Sequence, residues 1–284
     1  MSAPYRERHY SSQDNLRLYY RDYGDPRAAA TPVLCLGGLT RNAKDFHELA
    51  VRLSGQRRVL APDYRGRGRS AYDPNWRNYN VRTYLDDIRH LLAVADMHRV
   101  AVIGTSLGGI LAMGMATAYP TLLAGAVLND VGPVVELEGL AHIIEYIRID
   151  RPQPDLESAI ATIRKMLPRV QFRDPAVWRK MVEHTYRTGD DGMLHFDWDV
   201  AIVRPLLEPD EPTPDLWPLF RALNRVPALA LRGEVSEILS PETFAAMARA
   251  KPDLVQLTVA GTGHTPTLSE PEVAQAIDGF LARL

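Results

Sequence analysis

Apolar and polar positions follow two rhythms along this chain. Residues 5–11 and 16–23 are short, Tyr-rich and partly alternating, with a turn at Asp14-Asn15, which predicts an antiparallel hairpin closed by Gly24-Asp25-Pro26. Short apolar runs then recur at 31–36, 58–61, 100–103, 123–128, 228–232 and 254–259, and each reads as a buried strand. Helical spacing fills the gaps. Phe46, Leu49, Ala50 and Leu53 share one face over 43–54, and Tyr84, Leu85, Ile88, Leu91 and Leu92 share one over 81–95. Further helices are expected at 110–116, 241–250 and 271–283. A hairpin followed by strand–helix alternation predicts an α/β sheet with a mostly parallel centre.

The rhythm breaks between 134 and 224. Helical stretches are expected near 136–149, 155–167 and 175–187, prolines punctuate the rest, and no buried strand stands out. We expect residues 1–133 and 225–284 to form one core domain and 134–224 a helical insertion. Lying between two halves of one fold, the insertion should cover the carboxyl ends of the strands, the edge at which open parallel sheets bind ligands.

Composition narrows the class. The 284 residues suffice for one large α/β domain or two ordinary ones, and 46% hydrophobic with 24% charged residues is globular usage. A net charge of −2 offers no global attraction for nucleic acid or an anionic membrane. Residues 1–20 lack the apolar core of a secretory signal, and no run approaches the ~20 apolar residues of a membrane span. The one cysteine, Cys35, sits in an apolar run and reads as core, a usage that fits the reducing cytoplasm.

The chemistry centres on Val100-Ala101-Val102-Ile103-Gly104-Thr105-Ser106-Leu107-Gly108-Gly109. An apolar strand ends in Gly-x-Ser-x-Gly and a run of helix formers follows, so the serine is expected on a tight strand-to-helix turn with its hydroxyl held above the sheet edge. A base is expected at His264, in the Gly-rich loop Ala260-Gly261-Thr262-Gly263-His264 after the last strand, where imidazole can approach a hydroxyl without steric cost. An acid must orient that imidazole. The loop after strand 228–232 supplies Glu237, favoured because Ser240-Pro241 downstream opens the next helix; Glu234 and Asp130 are the alternatives. Two backbone N–H groups are needed for a developing oxyanion, and Leu107, after the serine, and Leu39, in Gly37-Gly38-Leu39-Thr40, stand in suitable places. Gly38 would let backbone approach a substrate, and Arg41 beside it could meet an anionic one.

With these pieces in order the chain resembles the α/β-hydrolase superfamily. The resemblance rests on Leu36-Gly37-Gly38-Leu39, Pro62-Asp63-Tyr64-Arg65-Gly66-Arg67-Gly68-Arg69-Ser70, Gly104-Thr105-Ser106-Leu107-Gly108-Gly109, Arg232 to Pro241 and Gly263-His264-Thr265-Pro266, which run in family order across nearly the whole chain. It implies an eight-stranded, mostly parallel sheet flanked by helices, an inserted helical cap, a serine-hydrolase mechanism and no cofactor. Two departures stand out: Gly37 where the family's oxyanion loop usually has His, and Glu237 where its acid is usually Asp. Ser106 argues against dehalogenases and epoxide hydrolases, which resemble this fold but carry Asp there.

The function expected is therefore a hydrolase of a small or medium carboxylic ester or lactone acting through an acyl-enzyme on Ser106. Carbon–carbon bond hydrolysis or cofactor-free haloperoxidase chemistry with the same triad, and a non-catalytic small-ligand sensor, are the alternatives. No metal-ligand spacing and no dinucleotide fingerprint occurs. Arg65, Arg67 and Arg69 lack the aromatic interleaving of a nucleic-acid surface and read as a solvated or ion-paired loop. Trp178, His195, Phe196, Trp198, Trp217 and Phe220 of the insertion are expected mainly to pack. Oligomeric state is left open by the pattern.

Overall fold

The computed structural model describes residues 4–166, 174–208 and 214–284. Eight strands form one sheet in the order β1-β2-β4-β3-β5-β6-β9-β10. The hairpin strands β1 (Tyr5–Ser11) and β2 (Arg17–Tyr23) pair antiparallel, and β2 pairs antiparallel with β4 (Val59–Asp63). From there β3 (Val33–Leu36), β5 (Val100–Thr105), β6 (Leu123–Asn129), β9 (Ala228–Gly233) and β10 (Val255–Val259) run parallel. This is the α/β-hydrolase fold.

The core divides as strand pleating dictates. Alternate residues point to opposite faces, so both faces of a central strand must be apolar. Leu34, Leu36, Val100, Val102, Ala126 and Leu128 face one layer, with α2 (Val81–Val94), α3 (Leu107–Ala118) and α9 (Pro241–Ala250). Val33, Cys35, Ala101, Ile103, Val127, Leu229 and Leu231 face the other, with α1 (His47–Leu53) and α10 (Pro271–Leu281). Cys35 is fully buried core.

Parallel register brings the functional loops to one edge. Leu36 pairs with Gly104, Thr105 with Asn129, Asn129 with Leu231, and Gly233 with Val259. The chain therefore leaves β3, β5, β6, β9 and β10 at adjacent points, with Gly37, Ser106, Asp130, Glu234 and Ala260 as the next residues.

Between β6 and β9 lie α4 (Leu137–Ile147), α5 (Leu156–Met166), α6 (Pro175–Thr185), α7 (Arg204–Leu207) and α8 (Trp217–Ala222). The expected helix over 155–167 reaches Met166, and position 167 lies outside the described residues. Two short helices were not expected. Pro205 and Pro218 punctuate a sequence pattern, but here each sits in the first helical turn, where a missing N–H costs nothing. A hairpin of β7 (Tyr186–Thr188) and β8 (Leu194–Phe196) was also unexpected, because three-residue strands are too short to show a period. The aromatic residues pack: Phe196 stacks on Trp198 with ring centres 4.1 Å apart, and Trp178, Trp198 and Phe220 are buried.

His195 ties this region together. Its Nδ1 lies 2.6 Å from Asp150, just past α4, and its Nε2 lies 3.1 Å from Asp191 in the hairpin turn. With a carboxylate at each nitrogen both must donate, so the charged form is favoured and the hydrogen bonds to Asp150 and Asp191 raise its pKa above 6.5. A raised folded-state value means the bridge contributes fully below pH ~6.5 and is lost as pH rises through the folded value. The melting temperature of His195→Gln should fall furthest below wild type near pH ~6, with the gap closing toward pH ~9. A gap independent of pH would remove the imidazolium from this account.

Candidate active site

Ser106 sits between the end of β5 and the start of α3 with φ 51° and ψ −115°. A non-glycine residue at positive φ is strained and persists where its surroundings enforce it. Here Ser106 N–H donates to the Asn129 carbonyl at 3.0 Å, which pins the turn to β6. The flanking glycines are steric necessities: a Cβ on Gly104 would lie 2.3 Å from the Gly108 carbonyl oxygen, and one on Gly108 would lie 2.0 Å from that of Leu36.

His264 meets Ser106 across the sheet edge. Its Nε2 is 3.0 Å from Ser106 Oγ, and its Nδ1 is 2.7 Å from Asp130 Oδ2. A carboxylate only accepts, so Nδ1 carries the proton and Nε2 is left to accept from the serine hydroxyl. The histidine side chain keeps 15% of its surface, and Asp130 is fully buried.

The carboxylate on His264 differs from the one the sequence favoured. Asp130, not Glu237, lies on His264. Asp130 follows β6 directly, and its φ of 58° turns the side chain along the sheet edge. Its Oδ1 accepts from Gly233 N–H at 2.7 Å, and its Oδ2 accepts from Ser236 Oγ–H at 2.6 Å as well as from His264. The β9 loop thus sends a serine toward the histidine's partner, while Glu237, the next residue, is exposed. Glu234 is exposed too, and its carboxylate accepts from Gly261 N–H at 2.7 Å, linking the two loops.

The 37–40 loop borders the serine: a Cβ on Gly38 would lie 3.7 Å from Ser106 Cβ. Three successive carbonyls of this loop are bound by the protein. Gly37 O accepts from Tyr64 Oη at 3.1 Å, Gly38 O from Arg41 N–H at 3.1 Å and Leu39 O from Arg67 Nε at 2.8 Å. In a trans peptide the N–H points opposite its C=O, so the N–H groups of Gly38, Leu39 and Thr40 turn away from those partners. Leu107 is the first residue of α3, where N–H groups have no intrahelical acceptor. The arrangement can polarise a hydroxyl with an imidazole and receive negative charge on backbone N–H groups.

Arg41 is engaged elsewhere than expected. Its Nε and Nη2 donate to Asp45 at 2.6 and 2.7 Å, and its Nη1 donates to Thr185 Oγ1 at 2.9 Å. Burial alone would raise the Asp45 carboxyl, but Arg41 and His184 beside it hold it well below the usual range. Lys44 and Asn42 reach Asp197 at 2.7 and 3.2 Å. The segment after the loop is thus joined to α6 and to the chain after β8.

The arginine loop is ion-paired at Arg65 and Arg69, as the sequence reading allowed, with Arg69 exposed and the other two arginines buried. Arg65 is fully buried against Asp73, Asp87 and Asp14, and Arg67 is fully buried with no carboxylate paired to it among the described residues. Arg69 pairs with Glu7. Among the described residues no group of three or more His, Cys, Asp or Glu is placed to hold a metal ion, and no helix is long and apolar enough to cross a membrane.

Two residues of the site escaped sequence reasoning. Ser236 carries no motif of its own. Asn129 is fully buried, and its Nδ2 donates to Thr105 Oγ1 at 3.1 Å and to Pro266 O at 3.0 Å, linking the strand that bears Ser106 to the loop that bears His264. Its adjacency to Asp130 at a strand end was the one available signal.

Known proteins share this plan. A model of the alpha/beta hydrolase family matches residues 33–276. A 3-hydroxybutyrate-oligomer hydrolase of Cupriavidus necator is 31% identical over 90% of this chain and 89% of its own. A 2-(acetamidomethylene)succinate hydrolase of Mesorhizobium japonicum is 28% identical over 88% and 87% of the two chains. The crystal structure of an alpha/beta hydrolase from Novosphingobium aromaticivorans superposes with a TM-score of 0.92 at 43% identity, covering both chains completely.

Proposed function

The chain belongs to the alpha/beta hydrolase family, and we propose that it is a serine hydrolase that cleaves a small carboxylic ester or lactone through an acyl-enzyme on Ser106. One observation carries this reading: a single hydrogen-bonded line from Ser106 Oγ through His264 to Asp130, at 3.0 and 2.7 Å, beside the 37–40 loop. Ser106 Oγ attacks the substrate carbonyl and His264 Nε2 takes its proton. The negative charge that develops on the carbonyl oxygen is met by the N–H groups of Leu39 and Leu107. Collapse breaks the carbon–oxygen bond, and the departing alkoxide takes the proton from His264. Water then adds to the acyl-enzyme with His264 as base, and collapse expels Ser106 Oγ, which takes that proton back from His264 as the acid product departs.

The similarity to a 3-hydroxybutyrate-oligomer hydrolase favours an ester of a short hydroxy acid within that class. In this reading residues 134–224 act as a cap over the serine, held to the 41–45 segment through Asp197, His184 and Thr185. The cytoplasm suits a chain whose one cysteine is a buried thiol. A fluorophosphonate probe tests the mechanism: it should add to Ser106 in the wild type and fail to add in His264→Ala. Hydrolysis of p-nitrophenyl esters, short lactones and linear 3-hydroxybutyrate dimer then ranks the substrates. Folded wild-type protein that neither labels nor turns over any of them would leave a ligand sensor instead.

A further inference from the structure

We infer that Arg67 is a positioning residue of the oxyanion hole, a buried positive charge that fixes Leu39 from behind and favours negative charge in front of it; this rests on the serine-hydrolase reading above. Arg67 stands in the loop after β4 and is fully buried. Its Nε donates to Leu39 O at 2.8 Å, and its Nη1 donates to Arg65 O at 2.7 Å and Tyr84 Oη at 2.8 Å. Nη2 is buried with no hydrogen-bond partner among the described residues. The rings of Tyr84, Tyr79 and Tyr64 surround the guanidinium, with centres 5.0, 5.6 and 5.8 Å from Cζ.

The contrast with its neighbour gives this meaning. Arg65, two residues earlier and equally buried, is matched by Asp14, Asp73 and Asp87. Arg67 has only carbonyls, a hydroxyl and aromatic faces, and those leave its charge unneutralised at the site itself. A neutral side chain could fill the space and bind Leu39 O at lower desolvation cost. The field of this charge, which a neutral side chain would not supply, is what the cost of burying it can serve. The field acts on the Leu39–Thr40 peptide, next to the Gly38–Leu39 peptide whose N–H is expected to meet the oxyanion. It does so at low dielectric and through a hydrogen bond that also fixes the direction of the loop. Tyr64, on Gly37 O, holds the other end of the same loop.

The test separates charge from packing. Arg67→Gln keeps an amide donor for Leu39 O and removes the charge; Arg67→Lys keeps the charge on a different donor. For p-nitrophenyl butyrate, Arg67→Gln should lower kcat about 10- to 100-fold, the scale on which outer partners of metal ligands act, with KM nearly unchanged. Butaneboronic acid gives a second readout. Ser106 Oγ adds to its trigonal boron, the serine proton passes to His264, and boron becomes a tetrahedral anion. Its affinity should weaken by the same factor in Arg67→Gln, and Arg67→Lys should recover part of both losses. Wild-type kcat and boronate affinity in folded Arg67→Gln would overturn the inference, as would a kcat loss with unchanged boronate affinity. If Arg67→Gln does not fold, Arg67→Met, which also removes the charge, is compared with Arg67→Lys: parallel losses of kcat and boronate affinity in folded Arg67→Met that are smaller in Arg67→Lys support the inference, and equal values in the two variants overturn it. Failure of wild-type protein to take the fluorophosphonate would instead remove the serine-hydrolase reading on which this rests.

Discussion

Ser106→Ala should lower ester turnover by on the order of 10⁴- to 10⁶-fold while leaving the fold intact. The substitution removes one oxygen whose hydrogen-bond partner is His264 Nε2. No other element hangs from it: the turn is held by Ser106 N–H on the Asn129 carbonyl and by the bonds of Gly109 and Ile110 N–H to the Ser106 carbonyl. Alanine bears the positive φ no better than serine, so the melting temperature should move little. Residual hydrolysis would come from water attacking a substrate still positioned against the backbone donors. Steady-state turnover of p-nitrophenyl butyrate and intact mass after fluorophosphonate treatment measure both sides. Turnover retained within tenfold would place the nucleophile elsewhere.

Asp130→Asn should lower turnover about 10⁴-fold, and Glu237→Gln should change it less than about twofold. The first effect follows from the hydrogen-bond arrangement. Oδ1 of Asp130 faces Gly233 N–H, a backbone donor that cannot turn, so the carbonyl oxygen of an asparagine must stay on that side. Its NH₂ then takes the Oδ2 position, where His264 Nδ1 and the Ser236 hydroxyl now lie. The hydroxyl already accepts from Ile238 and Leu239 N–H at 3.2 and 3.1 Å, so it has no lone pair left for that NH₂. The imidazole can accept only by moving its proton to Nε2, which then faces Ser106 with a hydrogen and no longer serves as its base. Glu237 is exposed and is not the carboxylate on His264. Parallel kcat/KM measurements on both variants, with thermal melts to confirm folding, test the assignment. A large loss in Glu237→Gln with a small one in Asp130→Asn would reverse it.

The strands and the long helices were legible because their signals are local. Alternation in β1 and β2, apolar runs in β3, β5 and β6, and the helical spacing of α2 each depend only on which neighbours face the same way. Where the signal was shorter than a period, as in β7 and β8, it was not legible. Proline misled in one direction, because Pro205 and Pro218 start helices in a region where they read as breaks.

The site divides along the same line. By itself, the sequence determined an α/β chain, a serine on a strand-to-helix turn forced by Gly104 and Gly108, and a histidine in a glycine-rich loop after the last strand. Each of those is written in a few consecutive residues. The tertiary structure alone decided which carboxylate meets the histidine, that Ser236 and Asn129 support it, that Arg41 is held by Asp45 and Thr185, and that Arg67 is buried behind Leu39. The first two depend on the register of β6 against β9 and on the φ of Asp130, which bring residues more than a hundred positions apart within hydrogen-bond distance, and the last two on how the segment after β3 packs against α6 and the loop after β4. Spacing along the chain carries no such information, because a one-residue difference in where a loop leaves its strand exchanges a glutamate for a serine.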